Sequence, residues 1–432
     1  MAQTRYKTRP LECWPKVKEL RLNFYREIAT AREEGKLVVT GGADAPTALL
    51  AGLGDYVHLS GEPYGATVGT DPHFSQQCLE EAEARGFAMD MCSYMRNYWG
   101  SMYLNRYFFG GEFPRPDLCL QLHICDTHGK WWQVVSEHFG VPYFAVDYPV
   151  MARGEREDIR REYLVAQLHQ AVEWLERVSG REYNDELLIE AVKNECWSSA
   201  LWTEIMTLNK TIPAPLDQKS VFSLYVPLVL FREKKESVDF HRMLLDEVKD
   251  RVADGIAALG TERCRLLDDV QPPWYFLKLY RYLEQYGAVV VASWYSVFLF
   301  GNPGEQPDGS WGRALHPEER GMPLRTRDDA LRALAQWLLE MPVYDLHYLP
   351  QSKNDITLRL AREWHADGAI MHLNRGCEIA CLGTMETRLA LLKEGVPVMT
   401  YESDMADKRQ FDEAKVFDQL DSFMENLGMR KI

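Results

Sequence analysis

One stretch of the chain restricts the fold more than any other, because two short apolar runs flank one amphipathic segment. Residues 117–124 have the pattern of a strand, residues 127–139 have helical spacing and end at a glycine, and residues 141–147 have the pattern of a second strand. A strand, a crossover helix and a second strand form a βαβ unit with parallel strands. Since α/β folds place their chemistry at the carboxyl ends of such strands, we expect a functional edge at residues 124–130.

The same alternation of strands and helices recurs late in the chain and predicts two α/β lobes. We expect an N-terminal helical segment at residues 1–35, a first lobe at 36–150 and a second lobe at 256–432. Residues 151–255 have long helical periodicity and no strand pattern, which predicts a helical connecting region. The predicted fold class is therefore α/β, with two Rossmann-like lobes that contain short parallel sheets.

The charge and hydropathy of the chain exclude several classes of function. The 49 basic and 64 acidic residues give a net charge of -15, whereas a nucleic-acid partner needs a positive surface. The polar residues 1–10 are not followed by the apolar core of a signal peptide, and the longest apolar run, residues 287–300, is too short and too polar to span a bilayer. We therefore expect a cytoplasmic protein with reduced cysteines and with no nucleic-acid or membrane partner.

Three of the nine cysteines stand at predicted loop ends. Cys125 directly follows the first strand of the βαβ unit, Cys377 closes a short loop after a predicted strand at residues 369–373, and Cys92 lies near the start of a helix. Several such thiols in a reducing compartment indicate a shared metal or iron–sulfur site more than disulfides. The alternative for each is an ordinary buried cysteine, since free cysteine is among the most buried residue types.

The other six cysteines are expected to be packing residues. Cys381 would share a helix face with Cys377, which permits joint metal binding, but inward packing is the favoured interpretation. If the two lobes face each other, Cys92, Cys125 and Cys377 converge at their interface, where three ligands would hold a [4Fe–4S] cluster with one iron open. The cysteines that sit within apolar helices or strands are Cys13, Cys78, Cys119, Cys196 and Cys264.

Several familiar site motifs are missing from the sequence. No C-x-x-C pair is present, which counts against a zinc ribbon, a thioredoxin site and a bacterial ferredoxin. The chain also lacks the P-loop motif, so we do not expect it to hydrolyse ATP itself. The pair Gly41-Gly42 after a predicted strand falls short of a dinucleotide-binding loop.

At these residues the chain resembles the 2-hydroxyacyl-CoA dehydratase and benzoyl-CoA reductase family, and the resemblance covers most of its length. The opening segment, residues 9–14, is most like the benzoyl-CoA reductase branch and its B-type subunit. The order and spacing of the matching segments carry the resemblance. These segments are Asp90-Met91-Cys92, Cys125-Asp126-Thr127-His128-Gly129-Lys130-Trp131, Asn374-Arg375-Gly376-Cys377 and residues 403–411.

The resemblance implies a [4Fe–4S] cluster bound by Cys92, Cys125 and Cys377 and placed between the two lobes. A homologous second subunit would complete a heterodimeric catalytic module. Separate ATP-hydrolysing iron–sulfur activator subunits would deliver electrons from ferredoxin, so ATP would bind only to them. In the reductase branch the ring of benzoyl-CoA is reduced to a cyclic diene, in anaerobic aromatic degradation. In the dehydratase branch a recycled electron drives the loss of water from a 2-hydroxyacyl-CoA.

Either reaction needs proton donors near the substrate. The candidates are His123, Asp126, His128 and His372, chosen for their nearness to Cys125 or Cys377 in the sequence. The alternative for each of them is a structural hydrogen bond.

The leading hypothesis is therefore an iron–sulfur catalytic subunit of an ATP-dependent, ferredoxin-linked benzoyl-CoA reductase. A subunit of a 2-hydroxyacyl-CoA dehydratase is the near alternative. Two further alternatives are a non-catalytic electron-relay subunit and an α/β protein whose cysteines bind no metal.

Overall fold

Two sheets of four parallel strands organise the chain. The structure is a computed structural model that describes residues 5–150, 154 and 156–432. Parallel strands need crossover connections of a dozen or more residues, and helices supply most of them here. The predicted α/β class with short parallel sheets is confirmed.

The first part of the chain holds the first sheet. Its order is β3-β2-β4-β5, and the helix α6 joins β4 to β5 as the predicted βαβ unit requires. In chain order the elements are β1 (Lys7–Thr8), α1 (Trp14–Thr30), β2 (Leu37–Gly41), α2 (Ala48–Ala51), β3 (Tyr56–Ser60), α3 (Gly61–Gly69), α4 (Pro72–Ala84), α5 (Ser93–Tyr103), β4 (Leu118–His123), α6 (Asp126–Phe139) and β5 (Tyr143–Asp147).

The middle of the chain is helical, as its periodicity indicates. Where the pattern predicts one long helical stretch, the structure has two helices, because Gly180 adopts a left-handed conformation with φ 64° that ends the first. The elements are α7 (Glu157–Ser179), α8 (Asp185–Leu208), α9 (Gln218–Leu224), α10 (Val226–Phe231), α11 (Lys235–Ala253) and the short β6 (Ile256–Ala257), which pairs with β1.

The last part of the chain holds the second sheet, in the order β12-β11-β7-β8. A small antiparallel hairpin of β9 and β10 lies outside this sheet. In chain order the elements are β7 (Cys264–Asp268), α12 (Lys278–Leu283), β8 (Ala288–Ser293), α13 (Trp294–Phe298), β9 (Pro303–Glu305), β10 (Trp311–Arg313), α14 (Arg327–Glu340), α15 (Pro342–Tyr348), α16 (Pro350–Glu363), β11 (Gly368–Asn374), α17 (Glu378–Cys381), α18 (Thr384–Lys393), β12 (Val398–Ser403) and α19 (Glu413–Asn426).

The strands of both sheets are largely buried, and most of their residues are apolar. Every residue of β2, β3, β7 and β8 is buried. Strands buried on both faces tend to be continuous apolar runs rather than alternating ones, and this is why short runs of the sequence predict β2 and β8.

The predicted boundaries at residues 35, 150 and 255 stay predictions, and residues 1–4, 151–153 and 155 lie outside the described part of the chain. Several elements were not predicted, among them the edge strand β3 and the short helix α15. Among the described residues, no helix is both long enough and apolar enough to cross a bilayer.

Asp268, at the carboxyl end of β7, is expected to make stability depend on pH. Burial raises the pKa of its carboxyl to about 7, although a hydrogen bond from the Tyr280 hydroxyl opposes the rise. The unfolded chain releases this proton near its ordinary pKa of about 3.9, so stability should fall as pH rises from about 4 to about 7. The loss is at most about 4 kcal/mol, since one pKa unit corresponds to about 1.4 kcal/mol.

The measurement is urea unfolding of the wild type and of Asp268→Asn between pH 5 and pH 8. The variant should show a shallower decline across this range, because an amide does not titrate. The exposed Asp246→Asn is the matched control and should keep the wild-type slope. Equal slopes for the wild type and Asp268→Asn would contradict the assignment.

Candidate active site

A large cavity lies between elements of the two sheets. Its volume is about 790 Å³, within the usual range for a site that encloses a small molecule or cofactor. Residues that follow β4 and β11 line it, together with the start of α5 and one face of α15. The carboxyl ends of parallel strands therefore meet here, as expected for a ligand site in an α/β fold.

The three cysteines predicted to act together all line this cavity. Cys92, Cys125 and Cys377 occupy the residue before the first turn of α5, α6 and α17, respectively. The free N–H groups of a helix start favour negative charge, so this position suits a thiolate. The other cysteines of the described chain do not line the cavity.

Buried polar contacts hold the first part of the chain against the segment after β12, close to Cys92. The Arg96 guanidinium is fully buried, donates to the Met91 carbonyl at 2.9 Å and pairs with Asp407 at 3.4 Å. The Ser75 hydroxyl donates to the Ala406 carbonyl at 2.9 Å. The segment before α5 is therefore tied to the second sheet, which places Cys92 in the same cavity as Cys377.

The three thiols influence each other electrostatically. Burial raises the pKa of Cys92 well above its ordinary value, and Cys377 and Cys125 raise it further. Burial also raises the pKa of Cys377 to about 12, with Cys125 adding to the effect, and raises the pKa of Cys125. Without a bound cation the three groups would stay protonated, whereas a metal centre would favour the thiolates.

A second group of ionisable side chains stands beside Cys125. Asp44, Glu62 and His128 have ligand or proton-binding atoms that all lie within 4.8 Å of one another. The His128 imidazole contacts Glu62 through Nε2, and its Nδ1 lies 3.6 Å from Asp44 Oδ1. This group can hold and transfer a proton in a site that bulk water reaches poorly.

The charges of this group favour a protonated imidazole. Burial alone would lower the pKa of His128, but Cys125, Glu62 and Asp44 outweigh it and raise the pKa well above the ordinary value. Burial raises the pKa of Asp44 to about 7, although His128 opposes the rise. Both oxygens of the Asp44 carboxyl are sealed and form no hydrogen bond among the described residues. Asp44 is therefore an unsatisfied acceptor directed at this group.

A buried arginine supports the loop that carries Asp44. The Arg232 guanidinium donates to the carbonyls of Ala43 and Ala45, both at 2.7 Å. Its Nε donates to the buried Glu195 carboxylate at 3.0 Å. The helices α8 and α10 therefore fix the position of Asp44 from outside the first sheet.

The structure brings two of the four predicted proton donors to the cavity. His128 and Asp126 line it. His123 does not, since its side chain is 43% exposed and pairs with Asp147 at 3.1 Å. His372 is also outside the lining, because its buried ring stacks on Tyr401 and its Nδ1 donates to the Gln271 carbonyl at 2.9 Å.

The sequence interpretation missed Asp44, Glu62 and Arg232. The turn Gly41-Gly42-Ala43-Asp44 after a strand is the signal for Asp44, although its glycine pair falls short of a dinucleotide-binding loop. Arg232 directly follows a wholly apolar helix, and a charge in that position is a signal of burial with a partner. The Gly- and Pro-rich segment at residues 301–323 contributes no described residue to the cavity lining.

The rest of the cavity wall is largely apolar and includes many aromatic side chains. The described lining contains one arginine, Arg21, and one lysine, Lys130, and both are exposed at the edge of the cavity. An interior of this kind suits an apolar group that is placed by a few polar contacts. The aromatic lining residues are Tyr25, Tyr94, Trp131, Phe222, Tyr225, Trp274, Tyr295, Phe300, Tyr344 and Tyr348.

The fold and the cavity define an α/β protein in which two parallel sheets share one thiol-lined site. Residues 43–427 match the family model described as 2-hydroxyglutaryl-CoA dehydratase, D-component. The chain belongs to this family, and the resemblance inferred from the sequence is confirmed.

Three relatives match nearly the whole chain. The (R)-phenyllactyl-CoA dehydratase alpha subunit of Clostridium sporogenes is 26% identical, over 93% of this chain and 92% of the relative. The (R)-2-hydroxyisocaproyl-CoA dehydratase alpha subunit of Clostridioides difficile is 25% identical, over 96% of each chain. The B-type subunit of benzoyl-CoA reductase from Thauera aromatica is 23% identical, over 96% of this chain and 94% of the relative. These are names of enzyme subunits that act on CoA thioesters.

Proposed function

We propose that this chain is an iron–sulfur catalytic subunit that acts on CoA thioesters, with a [4Fe–4S] cluster held by Cys92, Cys125 and Cys377. The observation that carries the proposal is the convergence of three thiols, from three separate helix starts, in one cavity. Electron transfer at low potential is the chemistry that such a cluster supplies when bound.

The spacing of the thiols supports a cluster more than a single ion. Four ligands of one zinc ion all lie about 2.3 Å from it when they are sulfurs, so their mutual distances are short. Among the described residues, the group of ligand atoms that lie within 4.8 Å of one another is Asp44, Glu62 and His128, and it does not include the cysteines. At least one pair of the three sulfurs therefore lies more than 4.8 Å apart, which suits a centre in which each thiolate binds a different iron.

The cavity lining supports an apolar acyl group. A free carboxylate on the acyl chain would need a buried cationic partner, because an unpaired charge is costly away from water. Arg21 and Lys130 are exposed and suit the phosphates of coenzyme A better than such a carboxylate. An aromatic ring, in contrast, would pack favourably on the aromatic wall.

The first candidate reaction is the reduction of the benzoyl-CoA ring to a cyclohexadiene-carbonyl-CoA. The likeness to the B-type subunit of benzoyl-CoA reductase over 96% of the chain supports it, as does the opening segment at residues 9–14. In this assignment a homologous second subunit completes the catalytic module. ATP-hydrolysing iron–sulfur activator subunits and ferredoxin supply the electrons, and ATP binds only to the activator.

The second candidate reaction is the radical elimination of water from a 2-hydroxyacyl-CoA. A specific observation favours it, since the two relatives named dehydratases are 26% and 25% identical to this chain, against 23% for the reductase subunit. In either reaction His128 would hold a proton between Glu62 and Asp44, and Asp126 is a second candidate at the cavity edge.

The test is anaerobic isolation of the native complex, followed by iron and sulfide counting and by assays with its activator. Benzoyl-CoA and (R)-phenyllactyl-CoA are supplied separately. Ring reduction or water loss identifies the reaction. A colourless protein without iron would contradict the proposal, and a cluster spectrum that neither thioester perturbs would favour an electron-relay subunit instead.

Gly42 permits the close approach of Asp44 and His128, so Gly42→Ala is expected to reduce turnover. A Cβ atom at this position would clash with Asp44 Oδ1 and lie 2.9 Å from His128 Cε1. A displacement of about 1 Å in a catalytic group can cost about 100-fold in rate, and we expect a loss of that size with iron content unchanged. The measurement is turnover per iron.

Gly129→Ala is the matched control, since the added Cβ would lie 3.4 Å from His123 Nε2, an ordinary contact. It should turn over at the wild-type rate. Wild-type turnover in Gly42→Ala would show that the close approach has no role in the reaction.

A further inference from the structure

One face of the short helix α15 forms part of the cavity wall. Val343, Tyr344, His347 and Tyr348 line the cavity, and their spacing places them on one side of the helix. The Tyr348 hydroxyl donates to the Ile124 carbonyl, next to Cys125. The face is therefore anchored directly beside one of the three thiols.

His347 has a buried ring nitrogen without a partner on this face. It is only 7% exposed, and its Nδ1 is sealed and has no hydrogen-bond partner in the described part of the chain. Its ring packs edge-on against Trp294, with centroids 5.7 Å apart. A buried polar atom without a partner is costly, and its presence in a native site calls for a functional explanation.

The imidazole of His347 is neutral. Burial lowers its pKa to about 3, and the charges of Lys353 and His128 lower it further. A neutral imidazole carries one N–H donor. A buried N–H without a partner is rarer than a buried acceptor without one, so the proton is placed on Nε2 rather than on the sealed Nδ1. Nε2 is then the nitrogen left to face the cavity that His347 lines.

Several other polar groups of the wall already have partners within the protein. The Tyr94 hydroxyl accepts from the Trp274 indole, and the Tyr25 hydroxyl pairs with Thr67. Asp44, Glu62 and His128 interact among themselves. A ligand oxygen that enters the cavity can accept a hydrogen bond from the His347 imidazole.

We propose that the Nε2–H group of His347 donates a hydrogen bond to the thioester carbonyl oxygen of the bound acyl-CoA. This inference rests on the proposed function, because it requires a CoA thioester in the cavity. When an acyl group gains an electron, negative charge develops on the carbonyl oxygen. A hydrogen-bond donor fixed beside that oxygen stabilises the charge, and the imidazole that supplies it is neutral in the free protein. His347 is thereby assigned as a catalytic residue that contacts the substrate.

The test compares His347→Phe, His347→Gln and His347→Asn in the native complex. Phenylalanine keeps a ring against Trp294 and removes both nitrogens, glutamine places an amide near the position of Nε2, and asparagine places it near Nδ1. Benzoyl-CoA and (R)-phenyllactyl-CoA, each labelled with ¹³C at the thioester carbonyl, are the probes. Infrared difference spectra report the carbonyl band, and kcat and KM are measured separately.

In the wild type the labelled carbonyl band is expected to move to lower frequency on binding. His347→Phe and His347→Asn should lose this shift and about 100-fold in kcat, with KM changed only a few-fold and iron content unchanged. His347→Gln should keep the shift and most of kcat. A packing role alone would not explain why glutamine restores the carbonyl shift and kcat while asparagine does not.

His241→Phe is the matched control. His241 is also fully buried, and burial lowers its pKa to about 4, but it lies on α11 and does not line the cavity. This variant should keep the carbonyl shift and kcat. If the wild type binds a thioester and His347→Phe keeps both the carbonyl shift and kcat, the role of His347 is overturned and the proposed function stands. A wild type that binds neither thioester overturns the proposed function, and this inference falls with it.

Discussion

Replacing any one of Cys92, Cys125 and Cys377 by serine is expected to remove most of the iron and sulfide from the purified protein and to abolish turnover. Three protein ligands leave no spare sulfur, and a serine hydroxyl stays protonated near neutral pH and is a poorer donor to iron than a soft thiolate. Loss of a residue that merely orients a ligand already costs about 10- to 100-fold, so we expect turnover to fall by more than about 100-fold. Iron counting and EPR spectra after anaerobic purification are the measurements.

Cys381→Ser is the matched control for these variants. Cys381 lies in the same segment as Cys377, and its thiol exchanges hydrogen bonds with the backbone of Asn374 at 3.0 and 3.2 Å. A serine hydroxyl can form both bonds, so iron content and turnover should stay at the wild-type level. Full iron content in all three ligand variants would rule out the shared cluster.

His128→Gln is expected to keep its iron and to lose about 100-fold or more in kcat. Glutamine resembles histidine in polarity and reach but cannot carry a titrating proton, and general acid–base catalysis typically contributes 10²- to 10⁴-fold. The variant removes the titrating proton without removing the neighbouring carboxyl groups, because Glu62 and Asp44 remain in place. Steady-state turnover with the two thioesters is the measurement.

The pH dependence of turnover gives this variant a second readout. Cys125, Glu62 and Asp44 together raise the pKa of His128 well above its ordinary value despite its burial, so the imidazole loses its proton only on the alkaline side. Wild-type kcat should therefore decline on the alkaline side, and the decline should be absent in His128→Gln. His123→Gln is the control, since His123 is exposed and outside the cavity. A wild-type profile in His128→Gln would remove His128 from the proton path.

Local patterns in the sequence predicted the elements that carry the thiols. The apolar run that ends before Cys125 forms β4, the stretch after it forms α6, and the run before Cys377 forms β11. These predictions succeed because a strand buried on both faces needs consecutive apolar residues and a surface helix needs a 3.6-residue period. The helix starts at Cys92, Cys125 and Cys377 follow from the same local patterns.

The residues that complete the candidate site were not predictable in this way. Glu62 follows the edge strand β3, Arg232 follows α10, and His347 lies on α15, and none of these elements has a sequence pattern that marks a site. The nearness rule that selected four proton donors also failed to separate His128 from His123. Side chains on opposite faces of adjacent segments are close in sequence, yet only one face reaches the cavity.

By itself the sequence determined the family, the α/β class and the three cysteines that stand at helix starts, because each depends on residues that are neighbours along the chain. Only the tertiary structure decided which groups meet in one cavity: Cys92 with Cys377, His128 with Asp44 and Glu62, and His347 with an aromatic wall. The proximity of these groups depends on how whole sheets and helices pack against each other. Packing is set by the sum of many weak contacts across the core rather than by any local pattern.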